Sequence, residues 1–196
     1  MIYKGRYKVT QVYKGVYHQG IDLVGLDSKT IYVPIDGVII RANTDTYYDG
    51  GMGNYVKLQD SLGRYHLFAH LSEFKVHIGQ VAPKGTPIGV EGDTGHSFGS
   101  HCHYEMRDNL YSSSFLDVAQ IMGIPNEIGT YISSNKDLVQ VKYGFNDETM
   151  RHLDDYDYPN DLFLMMLKPS NEQHYQLNTI NYILKYRFGI EVFNKL

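Results

Sequence analysis

The first 110 or so residues consist of short runs in which apolar and polar residues alternate, separated by glycine, proline and Asp-Gly signals. Four such runs span residues 32–35, 37–40, 54–58 and 64–71. Alternation with period two is typical of a half-buried strand, and frequent turn signals divide one strand from the next. Glycines recurring between residues 79 and 99 indicate tight turns between brief strands. This part of the chain is therefore predicted to form an antiparallel β-sheet.

The pattern changes after about residue 135, where glycine becomes rare and apolar residues are spaced further apart. Capping residues and proline predict three helices, at residues 147–152, 161–167 and about 171–187. We therefore divide the chain into residues 1–134, in which 111–134 form a connecting segment, and residues 135–196. The predicted class is mainly β with a small C-terminal helical subdomain, which is α+β overall.

Composition predicts a soluble globular protein, since 42% of the residues are hydrophobic, 20% are charged and the formal net charge is −4. The chain has no run of basic residues, so no nucleic-acid partner is expected. No segment is apolar over the length that a bilayer requires, so no membrane partner is expected either. The single cysteine, Cys102, excludes an intrachain disulfide and a cysteine-based zinc knot.

Histidines supply the candidate chemistry. His101 and His103 are two residues apart, so on a strand their rings project from one face, about 6.5 Å apart at the backbone. His18 and Asp22 would lie about 13 Å apart on a straight strand, so joint binding of a metal requires a loop or bulge before the strand 21–26. With one histidine of the HxH pair, they form a set of two imidazoles and one carboxylate. Such a set is typical of catalytic zinc and leaves a fourth position for water, although the spacing does not decide which histidine of the pair binds.

Other interpretations fit isolated parts of this pattern. A single histidine is more often a surface or core residue than a ligand, and an HxH or HxxxD spacing alone is weak evidence. A two-histidine, one-carboxylate iron site is the alternative metal centre, although such sites usually have HxD or HxE spacing. The HExxH helix is absent, which excludes the thermolysin-like class of zinc peptidase.

Three motifs together resemble a known family. They are GVYHQGIDL at residues 15–23, FAHL at 68–71, and the glycine-rich GQVAPKGTPIGVEGDTGHSFGSHCHYE at 79–105. Their order and spacing are similar to those of the lysostaphin-type, LytM-like zinc endopeptidases of peptidoglycan, over residues from about 13 to 108. The resemblance implies an antiparallel β-sheet metallopeptidase domain with an open groove across the metal. It also implies cleavage of peptide stems or cross-bridges in bacterial cell walls.

The resemblance assigns roles to five residues. His18, Asp22 and His103 match the metal ligands of the family, and the implied ion is Zn²⁺. His70 and His101 match the two histidines that flank the metal-bound water. In the family these two orient or deprotonate the water and stabilise the tetrahedral oxyanion.

Aromatic residues near these motifs are candidates for contact with substrate. The family has a tyrosine upstream of the first ligand that helps to hold the oxyanion, and either Tyr13 or Tyr17 matches it. Core packing is the alternative role for both tyrosines. Phe68 occupies a position that is commonly tyrosine in the family, so it keeps the ring but lacks the hydroxyl.

The remaining candidates are polar. His66 shares a strand face with His70 if the strand alternates regularly, which places it at the edge of the groove. His96 lies in the turn before the HxH strand and is a candidate for substrate contact. Glu105 lies on the same face as the HxH imidazoles, where it either orients one of them as a hydrogen-bond acceptor or forms a structural salt bridge. Cys102 points to the opposite face and is expected to be a buried small residue.

The leading hypothesis is a zinc-dependent peptidoglycan endopeptidase. The N-terminus lacks the apolar core of a secretion signal, so we expect a bacteriophage lysin. Such a lysin is carried on the virion tail, with other tail proteins as partners, or is released from the host cytoplasm to act on the wall. A piece of a secreted enzyme would show the same pattern. The alternative from another class is a non-catalytic wall-binding or tail structural module, but such family members typically lose ligands that this chain retains.

Overall fold

The structure is a computed structural model of the 196-residue chain, and it describes residues 1–45, 51–109, 114–155, 159–167, 182 and 185. Two compact units divide the chain, Met1–Tyr131 and Ile132–Leu196. The division falls between residues 131 and 132, whereas the sequence pattern places it after residue 134. Among the described residues, no helix has both the length and the apolar character needed to cross a bilayer.

Strands dominate the first unit. In chain order the strands of the described residues are β1 (Arg6–Gln11), β2 (Gly20–Gly25), β3 (Thr30–Tyr32), β4 (Gly37–Asp45), β5 (Gly53–Asp60), β6 (Tyr65–Leu71), β7 (Glu73–Phe74), β8 (Val81–Ala82), β9 (Pro87–Val90), β10 (Cys102–Arg107), β11 (Phe115–Leu116) and β12 (Gly129–Ile132). A single 3-10 turn, Gly15–Tyr17, precedes β2, and a short helix, α1 (Val118–Met122), follows β11.

The strands form one large sheet and one small sheet. The large sheet has the order β12-β1-β2-β10-β6-β5-β4-β8, with β11 also paired to β10, and the small sheet has the order β3-β9-β7. The pairs that surround β10 run antiparallel. The predicted mainly β, antiparallel fold is confirmed. Because β10 lies between β2 and β6, the HxH strand is flanked by the strands that carry Asp22 and His70.

One face of the large sheet packs on the main hydrophobic core. Strand β10 contributes Cys102, Tyr104 and Met106 to this core, and all three are fully buried. Because successive side chains of a strand alternate between faces, His103 and Glu105 project from the opposite face. The candidate chemistry therefore lies on the side of the sheet that faces away from the main core.

The prediction that His66 and Phe68 contact substrate is wrong, because both side chains are fully buried on the core side. Phe68 stacks on Tyr104 with ring centroids 4.8 Å apart. His66 Nε2 donates to the Asp60 carboxylate at 3.2 Å, so its Nδ1 accepts the hydrogen bond from the Tyr104 hydroxyl at 2.8 Å. His66 is a hydrogen-bonded core residue.

A bulge in β6 explains why His66 and His70 do not share a face. The register between β5 and β6 shifts between Asn54 and Val56. At the bulge His70 has φ of 62°, in the left-handed region, and Leu71 then joins the main core. A bulge changes the face on which the following side chains lie, and regular alternation in the sequence does not reveal it.

Residues 114–131, which the sequence pattern assigns to a connecting segment within residues 1–134, belong to the first unit. Val118 and Ala119 of α1 are buried in the main core. The Asp117 side chain caps this helix by accepting a hydrogen bond from the Gln120 backbone N–H at 2.9 Å. The segment is therefore folded onto the sheet through apolar contacts.

The second unit is helical where it is described, with α2 (Asn135–Tyr143), α3 (Asp147–Asp154) and α4 (Pro159–Met166). Helix α3 is capped as predicted, because the Asn146 side chain accepts from the Thr149 backbone N–H at 2.8 Å. The predicted helices at 147–152 and 161–167 are thus present with slightly different ends, and α2 is an addition to them. The predicted helix at 171–187 lies outside the described residues apart from two positions.

Replacing His66 by Phe should lower the free energy of unfolding by about 1–3 kcal/mol, because the Tyr104 hydroxyl and the Asp60 carboxylate lose a buried partner. Urea denaturation followed by circular dichroism measures the change. His77→Phe is the matched control at an exposed histidine, and its effect should stay within about 0.5 kcal/mol. Equal effects of the two substitutions would contradict the buried role of His66.

Candidate active site

Strand register brings Asp22 and His103 together. The two residues lie directly opposite each other in the β2–β10 pair, and His103 Nδ1 is 2.8 Å from Asp22 Oδ1. Gly20 leaves the space for this arrangement, since a Cβ there would lie 2.6 Å from the Tyr104 carbonyl oxygen and 2.7 Å from the His103 ring. The carboxylate and the imidazole are therefore held by the sheet, with a glycine where any side chain would collide.

His18 reaches the same place from the turn before β2. The 3-10 turn Gly15–Tyr17 replaces a straight strand here, as the sequence predicts. His18 Nδ1 lies 2.7 Å from the carbonyl oxygen of Val12, which only accepts hydrogen bonds, so Nδ1 carries the proton. His18 Nε2 then presents its lone pair to the groove, 3.3 Å from Asp22 Oδ1.

This donor set fits a metal ion. The candidate ligand atoms of His18, Asp22 and His103 all lie within 4.8 Å of one another. Ligand atoms bound to a tetrahedral zinc at its usual bond lengths lie roughly 3.3 Å apart. The separations of 3.3 Å and 2.8 Å from Asp22 Oδ1 are close to that value. Nitrogen lone pairs and a carboxylate that converge in this way require a proton or a cation between them.

Electrostatics couple Asp22 to His103. Burial disfavours the charged form of Asp22, but hydrogen bonds with His103 and His18 outweigh it and hold the pKa well below its usual range. Burial likewise disfavours the charged form of His103, whereas its interactions with Asp22 and Glu105 raise its pKa to about 9. A metal that binds at neutral pH must therefore displace a proton from His103.

Glu105 forms the predicted salt bridge, and its second oxygen lies near His103 without a hydrogen bond to it. One of its oxygens pairs with Arg107. The other, Oε2, is buried without a hydrogen-bond partner among the described residues and lies 3.8 Å from His103 Nε2. A carboxylate on that side favours a proton on Nε2, which leaves Nδ1 of His103 free to bind a metal.

His70 and His101 lie side by side next to these ligands, with ring centroids 4.8 Å apart. His70 Nδ1 donates to the Thr94 carbonyl oxygen at 2.9 Å, and His101 Nδ1 donates to the Gly99 carbonyl oxygen at 2.8 Å. Each ring therefore has a lone pair on Nε2, and that of His101 lies 3.7 Å from Asp22 Oδ2. Burial also lowers the pKa of His70, which keeps this ring neutral at pH 7.

The five residues line an open groove with a volume of about 770 Å³. Tyr17 and His96 also line it, and Phe98, which is 96% exposed, contacts the His96 ring edge-on with centroids 5.4 Å apart. Tyr13 is not among the described residues that line the groove. Its hydroxyl donates to the Phe115 carbonyl oxygen at 3.3 Å and its ring packs on the main core. Of the two predicted tyrosines, Tyr17 is therefore the candidate for substrate contact.

Several groups that shape the site are not predicted from the sequence. Val12, Thr94 and Gly99 act through backbone carbonyls, which every residue type has, so no residue-specific signal marks them. Phe98 carries a signal that could be recognised, because it is a large aromatic residue within the glycine-rich connector, three residues before His101. Its near-complete exposure at the groove makes it a candidate contact for substrate.

Comparison with known proteins now identifies the family. The model of peptidase family M23 matches residues 16–114, which is half of the chain and includes all five residues of the site. The chain belongs to peptidase family M23. The matched region extends from the turn before His18 to the end of the segment that follows β10, so the family and the site coincide on the first unit.

The curated relatives of the chain include a protein named as a peptidoglycan endopeptidase. Peptidoglycan DD-endopeptidase ShyA of Vibrio cholerae is 29% identical over 127 residues, which cover 63% of this chain and 29% of that protein. Lysostaphin of Staphylococcus staphylolyticus is 32% identical over 104 residues, which cover 51% of this chain and 20% of that protein. The chain thus spans less than a third of the length of these curated relatives.

The fold of the first unit also has a solved counterpart. The catalytic domain of the antimicrobial peptidase lysostaphin from Staphylococcus simulans superimposes with a TM-score of 0.50 and 26% sequence identity. The match covers 62% of this chain and 92% of that chain. Nearly the whole of that catalytic domain therefore has an equivalent in this M23 chain.

Zinc affinity should weaken about tenfold for each pH unit between pH 8 and pH 6, because one proton must leave His103 for each metal bound. The sign follows from the pKa of about 9, since below it the metal-free site holds a proton that the metal displaces. Asp22 stays ionised throughout this range because its pKa is lowered. Competition with a chelator at several pH values measures the dissociation constant, and a constant independent of pH would contradict the coupling.

Proposed function

We propose that the protein is a zinc-dependent endopeptidase that hydrolyses peptide bonds in bacterial peptidoglycan. The observation that carries the proposal is the convergence of His18, Asp22 and His103 beside the rings of His70 and His101 in an open groove. The name of one relative, a peptidoglycan DD-endopeptidase, supports the substrate class.

The residues of the chain divide the chemistry between them. A zinc ion held by His18, Asp22 and His103 would supply Lewis acidity towards a water molecule and the scissile carbonyl. His70 and His101 each present a lone pair on Nε2, so either ring is able to accept the proton of the attacking water. The protonated ring then donates a hydrogen bond to the developing oxyanion, or passes its proton to the leaving amine.

The lining of the groove favours an uncharged peptide segment. Among the described residues that line it, none is lysine or arginine. Val16, Tyr17 and Phe98 instead present large exposed apolar surfaces. A free carboxylate next to the metal would find no cationic side chain there, whereas small or apolar side chains of an internal peptide link would find apolar contacts. The groove therefore favours endopeptidase chemistry on a cross-bridge or an internal stem bond.

Retention of the site supports catalysis over a purely structural role. A wall-binding module without activity has no need of three metal-binding residues and two further histidines with fixed tautomers.

The phage origin, the place on a virion tail, the tail-protein partners and the release from the host cytoplasm stay predictions from the sequence.

The zinc-loaded protein should clear suspensions of purified cell walls and release peptides with new amino ends, and chelation should stop both. His70→Ala should lower kcat by roughly 10²- to 10⁴-fold, because the water loses a general base while the three ligands remain. Turbidity and mass spectrometry of the released fragments measure the activity, and His77→Ala is the control at an exposed histidine.

The walls tested should include both glycine cross-bridges and direct cross-links, since the groove does not distinguish them. A protein that binds one zinc per chain yet cleaves neither type of wall would contradict the proposed function. Equal loss of activity in His70→Ala and His77→Ala would contradict the role given to His70.

A further inference from the structure

The hydroxyl of Thr94 lies where the bulge interrupts the pairing of β5 with β6. Thr94 Oγ1 accepts a hydrogen bond from the Asn54 backbone N–H at 2.9 Å. The same hydroxyl donates to the carbonyl oxygen of Leu71 at 2.8 Å. Asn54 and Leu71 are partners in the register of the two strands. The side-chain hydroxyl therefore bridges the backbone N–H of Asn54 on one strand and the backbone carbonyl of its register partner Leu71 on the other, next to the bulge.

The backbone of Thr94 holds His70 itself. The Thr94 carbonyl oxygen accepts from His70 Nδ1 at 2.9 Å, and the Thr94 backbone N–H donates to the His70 carbonyl oxygen at 3.5 Å. The backbone N–H of His70 donates a further hydrogen bond, to the Met52 carbonyl oxygen at 2.9 Å. One residue thus contacts both the ring and the main chain of His70.

This anchoring matters because His70 has an unfavourable backbone conformation. Its φ of 62° makes it the one residue other than glycine with positive φ among the described residues. A residue other than glycine in this region costs about 1–3 kcal/mol and persists only when its surroundings hold it. The contacts from Thr94 and Met52 supply that support.

Close packing fixes the position of Thr94 in turn. A Cβ at Gly53 would lie 2.4 Å from the Thr94 carbonyl carbon, so the two segments approach each other more closely than any side chain on Gly53 would permit. A Cβ at Gly95 would similarly lie 2.2 Å from the Gly51 carbonyl oxygen. The segment that carries Thr94 is therefore held against the start of β5, and its carbonyl has little freedom to move away from His70.

We propose that Thr94 is a positioning residue for His70, and that its hydroxyl sets the bulge which presents His70 Nε2 to the groove. The inference rests on the proposed function as far as turnover is concerned. Its structural part concerns the tautomer and the orientation of one ring, which are measurable without any substrate. Thr94 itself does not touch the reacting atoms, so its removal should change catalysis through His70 and leave the metal ligands intact.

The test compares Thr94→Val, which keeps the shape and removes the hydroxyl, with Thr94→Ser, which keeps the hydroxyl. In zinc-loaded protein Thr94→Val should lower kcat on cell walls by roughly 100-fold, the scale expected for a displacement of about 1 Å, with KM and zinc affinity unchanged. Thr94→Ser should keep kcat within a few-fold of the parent. Thr86→Val is the matched control, because the Thr86 hydroxyl donates to the Pro83 carbonyl oxygen in a turn away from the groove.

Nuclear magnetic resonance of ¹⁵N-histidine-labelled, zinc-loaded protein provides a readout that does not depend on activity. His70 should carry its proton on Nδ1 in the parent and in Thr94→Ser, and should lose that preference in Thr94→Val. A parent protein in which His70 is protonated on Nε2 would overturn the proposal even if Thr94→Val did not fold. Unchanged kcat and an unchanged tautomer in folded Thr94→Val would also overturn it.

Failure of the proposed function would give different results from failure of the inference about Thr94. If the parent cleaves no wall, the endopeptidase proposal fails, while the tautomer of His70 in the parent and in Thr94→Val still tests the role of Thr94. If the parent is active and Thr94→Ser loses as much kcat as Thr94→Val, the hydroxyl is not the group that positions His70 and the inference is wrong.

Discussion

The site depends on imidazole N–H groups that donate to backbone carbonyls around one groove. A carbonyl oxygen only accepts, so each of these hydrogen bonds fixes the tautomer of a ring and turns its other nitrogen, with a lone pair, towards the groove. Three pairs are held in this way, His18 by Val12, His70 by Thr94 and His101 by Gly99. A metal ion and the proton of a water molecule both require such lone pairs, so the tautomers determine what the groove is able to bind and to transfer.

The sheet supplies the rest of the arrangement. Strand β10 lies between β2 and β6, so side chains from three strands reach one place on the face away from the main core. Asp22 and His103 meet because they are directly opposite in the register. A buried carboxylate oxygen of Glu105 lies 3.8 Å from His103 Nε2. The bulge then adds His70 to this face at a conformational cost of about 1–3 kcal/mol. A regular strand would leave that side chain in the main core, without access to the groove.

The sequence is sufficient to predict the β-rich fold, the family resemblance and the helix that Asn146 caps. Each of these depends on the types and the spacing of residues that are close together in the sequence. HxH places two rings on one strand face, and glycine around His18 predicts the turn that brings this residue to Asp22. His66 and Phe68 are assigned to the wrong face, since a strand pattern carries no sign of the bulge beyond them. Residues 114–131 are short apolar elements whose burial depends on contacts far along the chain, and the sequence pattern alone does not show them.

The proposed function separates metal binding from proton transfer among residues that all face one groove. Isothermal titration of zinc into the parent and into single alanine variants tests this division of roles. The variants are His18→Ala, Asp22→Ala, His103→Ala, His70→Ala and His101→Ala. We expect the first three to weaken zinc binding by roughly 100-fold or more, beyond what the loss of an outer partner costs. The last two should retain the affinity of the parent within a few-fold. Loss of zinc binding in His101→Ala with retention in His103→Ala would contradict this division of roles.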